Sequence, residues 1–257
     1  MTVLSYKAIY VIIIREFKRF FRQRGRLLVT ISRPLLWIFI VGAGFTSMVN
    51  MPSDISYKQF ILPGIIGMTI LFSSIFSTIS VVWDREFGFL REMLVAPISR
   101  LTIVLGKLLS GTALSVFQGM ILLFVSPLLG FSLSINQFAA MLLLIMLLSL
   151  AITAMGLVIA SYLTSLEGFN VIMNFIVLPM FFLSGALYPV NKLPLMLQYL
   201  TFINPLSYGI DAFKHVLLVS MPPPLGAEFP LIFDIGAILA FSLIMTLLAG
   251  LSFERKG

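Results

Sequence analysis

Long apolar runs separated by short polar stretches dominate this chain. Each run is close to the length that a helix needs to cross the hydrocarbon core of a bilayer, roughly 20 residues. None alternates apolar and polar positions as the strands of a membrane barrel do. The pattern predicts an all-α integral membrane protein with six transmembrane helices in one domain, residues 1–257. The predicted spans are 34–49, 60–82, 101–131, 137–164, 169–187 and 231–251.

The N-terminal segment, residues 5–26, is amphipathic rather than uniformly apolar. At helical spacing it places apolar residues on one side and cations on the other. Such a helix is expected to lie in the membrane interface with its cations toward the headgroups. The pattern suits a simple anchor as well as a lever that contacts a partner. The apolar side holds Tyr6, Ile9, Ile13, Phe17 and Phe20, and the cationic side holds Arg15, Lys18, Arg19, Arg22 and Arg26.

The stretch between the second and third spans concentrates charge. Read as a helix, it brings Phe87, Leu90 and Leu94 onto one face, which predicts a short amphipathic helix outside the bilayer. Pro97 disfavours helical geometry at the residue before it, and Ser99 is a suitable N-cap for the third span. The apolar face could be buried against this chain's own helices or against a partner protein, and the spacing leaves both open.

The proline-rich segment 188–229 is too long for a turn and too apolar for a free loop. Its helical periodicity is interrupted after Asn204 by a proline, which predicts two short helices. We expect these helices to enter the membrane partway from outside and return, because Asp211, Lys214 and His215 would be costly in a full crossing.

Composition supports a membrane protein, and its charges predict an orientation. The residues are 60% hydrophobic and the mean hydropathy is +1.09, which is more apolar than a soluble domain. With six crossings, 14 of the 17 Lys and Arg residues lie on the side of both termini. The positive-inside rule therefore places the termini in the cytosol. The net charge of +7 comes from cations that cluster beside the membrane, as the positive-inside rule expects. Nucleic acid is therefore not expected as a partner.

Several kinds of chemistry lack the residues that they require. No G-x-x-x-x-G-K-[ST] motif occurs, so this chain is not expected to bind ATP. Cysteine is absent and His215 is the one histidine, so we expect no metal, cofactor or catalytic residue and interpret His215 as an interfacial polar residue. The nearly chargeless spans argue against an ion-coupled carrier or channel. That class and a membrane-embedded lipid-modifying enzyme are kept as alternatives.

Small polar residues follow one face of the second span, where Thr69, Ser73 and Ser77 recur every fourth position. In the fifth span, Asn170 and Asn174 are one turn apart. Such residues can line a transport pathway, or they can let helices approach closely and bond across the contact. Both interpretations need the same residue types, so the sequence does not separate them.

Three features together resemble a known family. The amphipathic N-terminus, the stretch REFGFLREMLVAPISRLTIVLGK, and LPMFFLSGALYPVNKLP followed by INPLSYGIDAFK are similar to the permease subunits of type-2 ATP-binding-cassette (ABC) exporters. The resemblance is to the bacterial daunorubicin-resistance and nodulation-factor export permeases in particular. It implies a protein of the prokaryotic inner membrane that pairs with a second permease copy and with two cytosolic ATPase subunits, which hold ATP and Mg²⁺.

The resemblance also implies roles for particular segments. Residues 83–100 would be a coupling helix that docks on the ATPase, 1–33 a connecting helix, and 188–229 re-entrant helices of an external gate. The exported substrate would be amphipathic, lipid-like or lipid-linked, such as a drug, lipid or glycan. The docking residues would be Glu86, Phe87, Leu90, Arg91, Glu92, Leu94 and Pro97, with secondary contacts at Arg15, Arg19 and Glu167, and the gate would hold Phe182, Leu183 and Ser184.

Overall fold

The structure, a computed structural model, describes residues 4–23, 25, 28, 32, 34–42, 44, 57–129, 133–219, 221, 223 and 225–256. Within those ranges the regular elements are helices and no strand occurs, which confirms the all-α prediction. The helices are α1 Tyr6–Arg22, α2 Tyr57–Glu86, α3 Phe89–Val95, α4 Arg100–Val125, α5 Ile135–Tyr162, α6 Leu166–Ile172, α7 Leu178–Phe182, α8 Leu195–Ile203, α9 Pro205–Leu217 and α10 Leu231–Lys256.

Short helical pieces of other kinds accompany these elements. A π-helical stretch, Met173–Val177, joins α6 to α7 without a break, and a second one occupies Trp37–Val41. Turns of 3-10 helix follow α4 at Ser126–Leu129 and precede α8 at Val190–Lys192. The predicted fifth span is therefore one helical rod built from three segments.

Among the described residues, four helices, α2, α4, α5 and α10, are long and apolar enough to cross a membrane. The rod Leu166–Phe182 is apolar but shorter. Most of the predicted first span, 34–49, lies outside the described residues, although 34–42 is helical where described. The prediction of a multi-helix membrane protein is confirmed, and the count of six spans remains a prediction.

Helix boundaries follow local capping chemistry. The Ser99 hydroxyl accepts a hydrogen bond from the Thr102 N–H at the start of α4, as the sequence predicts. Ser134 and Gln137 form a reciprocal capping box at the start of α5. The Asn204 side chain caps α9, whose first residue is Pro205. The predicted pair of short helices is thus present as α8 and α9.

The bundle is organised around α2, which contacts α4, α5 and α9. Its apolar side chains Ile61, Leu62, Ile65, Ile66 and Ile70 are fully buried. In contrast, α10 contacts α5, α9 and α4 along one side only and leaves a row of leucines exposed. A helix with an apolar outer side is typical of a lipid-facing span. The exposed leucines are Leu239, Leu243, Leu247, Leu248 and Leu251.

The stretch between α2 and α4 differs from the single amphipathic helix that the sequence predicts. The second span continues as helix to Glu86, and the chain then turns at Gly88, whose φ of 80° lies in the left-handed region that glycine tolerates best. Only after this turn does α3 begin. Phe87 and Leu90 consequently do not share a face: Phe87 is 73% exposed, whereas Leu90 is 4% exposed. The prediction of a common apolar face is wrong for these two residues.

Candidate functional site

The amphipathic helix α1 lies against α4, close to the end of α2. The Ser5 hydroxyl caps α1, and the Ser5 N–H donates to the Thr102 hydroxyl at the start of α4. Gly106 allows the close approach, because a Cβ at that position would lie 2.9 Å from the Ile12 Cδ1 atom. The two helices are therefore joined both at one end and by close contact along their length.

The buried face of α1 differs from the predicted one. The residues that α1 buries are Ile9, Ile12, Glu16 and Phe20, at spacings of three and four. Tyr6, predicted on the apolar side, is 78% exposed. The face turned toward the bundle therefore carries an acid, Glu16, in the middle of an apolar row.

Glu16 belongs to a group of charges that joins three helices, which we call the junction cluster. Glu16 of α1, Asp84 of α2 and Lys107 of α4 are its buried members, and Arg15 and Arg19 of α1 are partly buried. The Lys107 ammonium lies 2.6 Å from Glu16 Oε1 and 2.5 Å from Asp84 Oδ2. It also donates to the Ser80 hydroxyl at 3.1 Å. All three hydrogens of the ammonium group thus have an acceptor.

Asp84 has two further cationic partners. Arg15 Nη2 lies 2.8 Å from Asp84 Oδ1, and Arg19 Nη1 lies 3.6 Å from the same atom. The Arg15 guanidinium also stacks over the Phe89 ring at 3.8 Å, and that of Arg19 lies 4.8 Å from the Trp83 ring. Through these contacts α1 holds both the end of α2 and the start of α3.

Breaking a buried pair of charges leaves an uncompensated charge in a medium that solvates it poorly. Lys107, Glu16 and Asp84 are each at most 6% exposed, so separating α1 from α2 and α4 would strand one or more of them. The junction cluster therefore sets the relative positions of these helices. Sequence reasoning did not single out Glu16 or the pairing of Lys107; the available indication was an acid on the apolar side of an amphipathic helix.

Five of the seven residues assigned to ATPase docking have described side chains, and these fall into two groups. Glu86, Phe87, Glu92 and Pro97 are exposed, and Leu90 is buried inside the chain. Leu90 is thus not on the free surface. The side chains of Arg91 and Leu94 lie outside the described part of the chain.

Secondary contacts were also assigned to Arg15, Arg19 and Glu167. The two arginines are engaged by Asp84, which gives them a role within this chain. Glu167 is exposed in the first turn of α6. The turn before it is fixed to the end of α2, because Arg85 donates to the Ser161 and Leu163 carbonyl oxygens at 2.8 Å each. Glu167 therefore lies at the same end of the bundle as α1 and α3.

A cavity of about 400 Å³ opens beside the junction cluster. Its lining includes the predicted pathway residues Thr69, Ser73 and Ser77. Its wall combines apolar side chains of α2, such as Phe72 and Phe76, with polar side chains of α1, α2 and α4. The remaining described lining residues are Glu16, Arg19, Phe20, Gln23, Gly25, Pro34, Met68, Phe72, Phe76, Ile79, Ser80, Trp83, Leu114 and Gln118.

A second cavity of about 330 Å³ lies next to the first and holds the other predicted pathway residues, Asn170 and Asn174. The predicted gate residue Phe182 also lines it. Met68, Phe72 and Phe76 line both cavities. One face of α2 thus separates two spaces that together contain all five predicted pathway residues.

The hydroxyl groups of α2 also bond within the protein. Ser73 and Ser115 of α4 are 2.5 Å apart, and Ser74 donates to Ser115 at 2.9 Å. Thr69 donates to the Ile65 carbonyl oxygen at 2.9 Å. The helix-contact interpretation is therefore correct for Ser73, and the pathway role of these residues remains a prediction.

The predicted gate residues lie at the C-terminal end of α7. They are next to the bend between α8 and α9 at Asn204 and Pro205, which we call the α8–α9 elbow. Ser184 is buried, Leu183 is half-buried and Phe182 is 43% exposed. Tyr188 donates its hydroxyl to the Phe182 carbonyl oxygen at 2.7 Å, and burial raises the pKa of the Tyr188 phenol. Asn204 donates to the Met180 carbonyl oxygen at 2.7 Å. The end of α7 is thereby tied to the two short helices.

Comparison with known proteins agrees with this architecture. A family model described as ABC-2 type transporter matches residues 7–218. The chain is 32% identical to the transport permease ycf38 of Porphyra purpurea, covering 83% of this chain and 76% of that protein. It is 28% identical to nodulation protein J of Rhizobium meliloti (strain 1021), covering 88% and 84% of the two chains.

A further relative covers nearly the whole chain. The inner membrane transport permease YadH of Escherichia coli (strain K12) is 26% identical over 95% of each protein. Two of these relatives are named as transport permeases, and the apolar helices of this chain suit a multi-pass membrane protein. The family match covers the junction cluster, both cavities and the α8–α9 elbow. The chain therefore belongs to the ABC-2 type transporter permease family.

Proposed function

We propose that this chain is the permease subunit of an ATP-driven exporter that moves an amphipathic, lipid-like or lipid-linked substrate out of the cytoplasm or the inner leaflet. Membership of the family implies association with an ABC ATPase. ATP and Mg²⁺ would be held by that separate subunit. The observation that carries the proposal is the cavity of about 400 Å³, which lies directly beside the junction cluster.

The surface around α3 suits a protein partner. Phe87 and Val95 are 73% and 86% exposed, although both are apolar. A cleft between α1 and the start of α3 is lined by Phe87, Phe89 and the cations Lys18 and Arg22. An apolar anchor surrounded by charge is typical of a specific interface. We infer that this surface receives the ATPase, whose rim would be acidic.

The junction cluster would carry motion from that surface into the membrane. Arg15 holds Phe89 of α3 and Asp84 of α2 at once, and Lys107 joins α1 to α2 and α4. Helices fixed together in this way move as a body when a partner displaces one of them. A shift at α3 would therefore move α1, α2 and α4 together, with the cavity of about 400 Å³ between them, relative to a second permease copy.

The cavity favours an amphipathic substrate over an ion. Its lining combines apolar side chains, among them Met68, Phe72 and Phe76, with polar ones, among them Glu16 and Arg19. A molecule with an apolar body and a polar head would match this combination. The resemblance to type-2 ABC exporters implies a second permease copy, which would complete the path in a homodimer with two ATPase subunits.

Location follows from the same proposal. The chain would lie in a prokaryotic inner membrane with both termini, α1 and α3 in the cytosol, as the distribution of Lys and Arg predicts. The α8–α9 elbow would then face outward, where α7 ends at Phe182, Leu183 and Ser184.

Co-expression with the ATPase encoded nearest to this chain's gene tests the proposal. Phe87→Asp places a charge in the exposed apolar surface and is expected to reduce ATPase co-purification by at least about tenfold, since central apolar anchors carry much of the binding energy. Ile135→Asp is the matched control, because Ile135 is 87% exposed at the start of α5. Equal ATPase recovery with both variants would contradict the docking surface.

Transport is then measured with the wild-type complex in proteoliposomes, using a headgroup-labelled fluorescent phospholipid as the probe. ATP is expected to drive translocation of the probe, and ADP is not. A complex that forms and hydrolyses ATP but moves neither this phospholipid nor a fluorescent amphipathic drug would overturn the substrate class while leaving the docking surface in place.

A further inference from the structure

At the end of the bundle away from α1 and α3, three side chains able to bind metal converge. Asp211 and His215 are one turn apart on α9, and Asp234 lies in the first turn of α10. One potential ligand atom from each lies within 4.8 Å of the others. Positions four apart on a helix point to the same side, so α9 presents both ligands toward α10.

Asp234 is the unusual member of this group. Its side chain is fully buried, and neither carboxylate oxygen has a hydrogen-bond partner among the residues that the structure describes. His215 Nε2 is 3.7 Å from Asp234 Oδ2, beyond hydrogen-bond reach. A buried carboxylate without partners is costly, so this position calls for a bound proton or a cation.

The other two side chains are held in place by their surroundings. Asp211 accepts the Glu228 N–H at 2.9 Å and the Phe229 N–H at 2.9 Å. Since an ionised carboxylate has about four acceptor positions, Asp211 can still accept a further ligand. His215 Nε2 lies 2.7 Å from the Phe229 carbonyl oxygen, which places a fourth donor atom beside the imidazole.

The charges around the group are unbalanced. Asp211, Asp234 and Glu228 supply three acids within the same few turns. Among the described residues, Lys214, 3.6 Å from Asp211 Oδ1, is the permanent cation paired with this group. A divalent cation would balance the remaining charge. One imidazole nitrogen with carboxylate and carbonyl oxygens suits zinc, whereas Mg²⁺ requires octahedral oxygen ligands and retains water.

We propose that Asp211, His215 and Asp234 bind one zinc ion, with the Phe229 carbonyl oxygen as the adjacent fourth ligand. The metal would take the position of the His215 Nε2 proton and would satisfy Asp234. It would fasten α9 to α10 and hold the segment between them, which includes the backbone bonds to Asp211. In the sequence, Asp211 lies four residues before His215 and shares its helix face, whereas Asp234 approaches only when α10 folds against α9.

The full-length chain, purified in detergent with a tag that contains no histidine and stripped with a chelator, is dialysed against ZnCl₂ and its metal content measured. The composition helps, because the chain has no cysteine and a single histidine, so competing zinc sites are few. The wild type is expected to take up one zinc per chain. Asp234→Asn and His215→Gln are expected to bind more than about 100-fold more weakly, exceeding the effect of losing an outer-shell partner.

Glu254→Gln is the matched control, since Glu254 is exposed near the other end of the same helix, α10. This variant should bind zinc as the wild type does. Zinc should also raise the unfolding temperature of the wild type and Glu254→Gln, relative to chelator, and leave that of Asp234→Asn unchanged.

Three results would overturn the site. They are no zinc uptake by the wild type, undiminished zinc affinity in both ligand variants, or a loss of zinc affinity in Glu254→Gln equal to that in the ligand variants. An unfolding temperature that depends on pH but not on zinc would likewise exclude the metal, because it would mean that His215 and Asp234 share a proton. Asp234→Asn removes a charge that has no hydrogen-bond partner in the described structure, so it should fold. Its unfolding temperature in chelator checks this directly.

Discussion

Two groups of buried charge lie at opposite ends of the helix bundle: the junction cluster, and the group between α9 and α10. They differ in how completely their charged side chains are paired. In the junction cluster, Lys107 has two carboxylates and a hydroxyl as partners. In the group between α9 and α10, the Asp234 carboxylate has no hydrogen bond within the described structure. Helix α10 shows how far apart the two groups are. Asp234 is in its first turn, whereas the Phe253 carbonyl oxygen near its other end accepts a hydrogen bond from Arg100, at the start of the helix that carries Lys107.

The difference indicates different roles. A fully paired group fixes geometry, because any rearrangement must leave a charge unpaired. An incompletely paired group has carboxylate oxygens that can still bind a cation from solution, and we propose that this cation is a metal ion. The first group lies beside the surface proposed to receive the ATPase, where rigid connection is needed. The second fastens the elbow beyond the predicted gate.

The largest effect is expected when the central cation of the junction cluster is removed. Lys107→Met leaves Glu16 and Asp84 buried without their shared partner, which should cost about 3–5 kcal/mol in the free energy of unfolding. Lys214→Met is the comparison at the other end, and it should cost about 1–2 kcal/mol, because Asp211 keeps its backbone donors. Unfolding in mixed detergent micelles measures both. Equal losses would show that the two groups are equally dependent on their lysines.

Replacing Asp84 or Asp234 by asparagine should change the free energy of unfolding by very different amounts. Asp84→Asn takes the anion from Lys107, Arg15 and Arg19 and is expected to destabilise the protein by about 3 kcal/mol. Asp234→Asn, measured in chelator, should remain within about 1 kcal/mol of the wild type or be more stable, since no hydrogen bond in the described structure is lost. The reverse order would contradict the distinction drawn between the clusters.

The close contact of α1 with α4 gives a smaller effect. Gly106→Val forces a side chain toward Ile12, whose atoms lie 2.9–3.0 Å from the position of a Cβ, and should cost about 1–3 kcal/mol. Gly236→Ala on α10 meets nothing within 4 Å and should be neutral or slightly stabilising. Thermal unfolding of both variants provides the measurement. A neutral Gly106→Val would mean that α1 is free to move on α4.

The smallest expected effect distinguishes a serine that bonds another helix, Ser73, from one that lines the cavity without such a bond, Ser77. Ser73→Ala removes the hydroxyl that bonds Ser115 and should cost about 1 kcal/mol in stability. Ser77→Ala loses only a bond to the Ser74 carbonyl oxygen of its own helix, so its stability should change less. If Ser77→Ala instead reduces transport of the phospholipid probe without loss of stability, the pathway role of Ser77 is supported.

Much of the fold followed from patterns that act over one helix at a time. Apolar run length predicted α2, α4, α5 and α10, and Ser99 and Asn204 marked helix starts through their own capping bonds. These features depend on neighbours in sequence, so they are visible without a structure. The break at Gly88 was missed because the residues on both sides favour a helix, and a single glycine changes the direction of the chain.

The candidate site was predictable only in part. The pathway residues Thr69, Ser73, Ser77, Asn170 and Asn174 were identified from their helical spacing, and the structure places them in two adjoining cavities. Their partners could not be identified in this way, because a hydroxyl that faces another helix has the same spacing as one that faces a cavity. Ser115 supplied the distinction for Ser73.

Sequence alone established an all-helical membrane protein, its family, and the absence of a P-loop, because hydropathy, short motifs and charge counts are properties of the linear chain. The three-dimensional arrangement settled which charges are buried together. Glu16, Asp84 and Lys107 are 68 and 23 residues apart in sequence and meet at one point, and Asp234 reaches His215 from a separate helix. The physical reason is that the cost of a buried charge depends on its neighbours in space, which only the folded chain brings together.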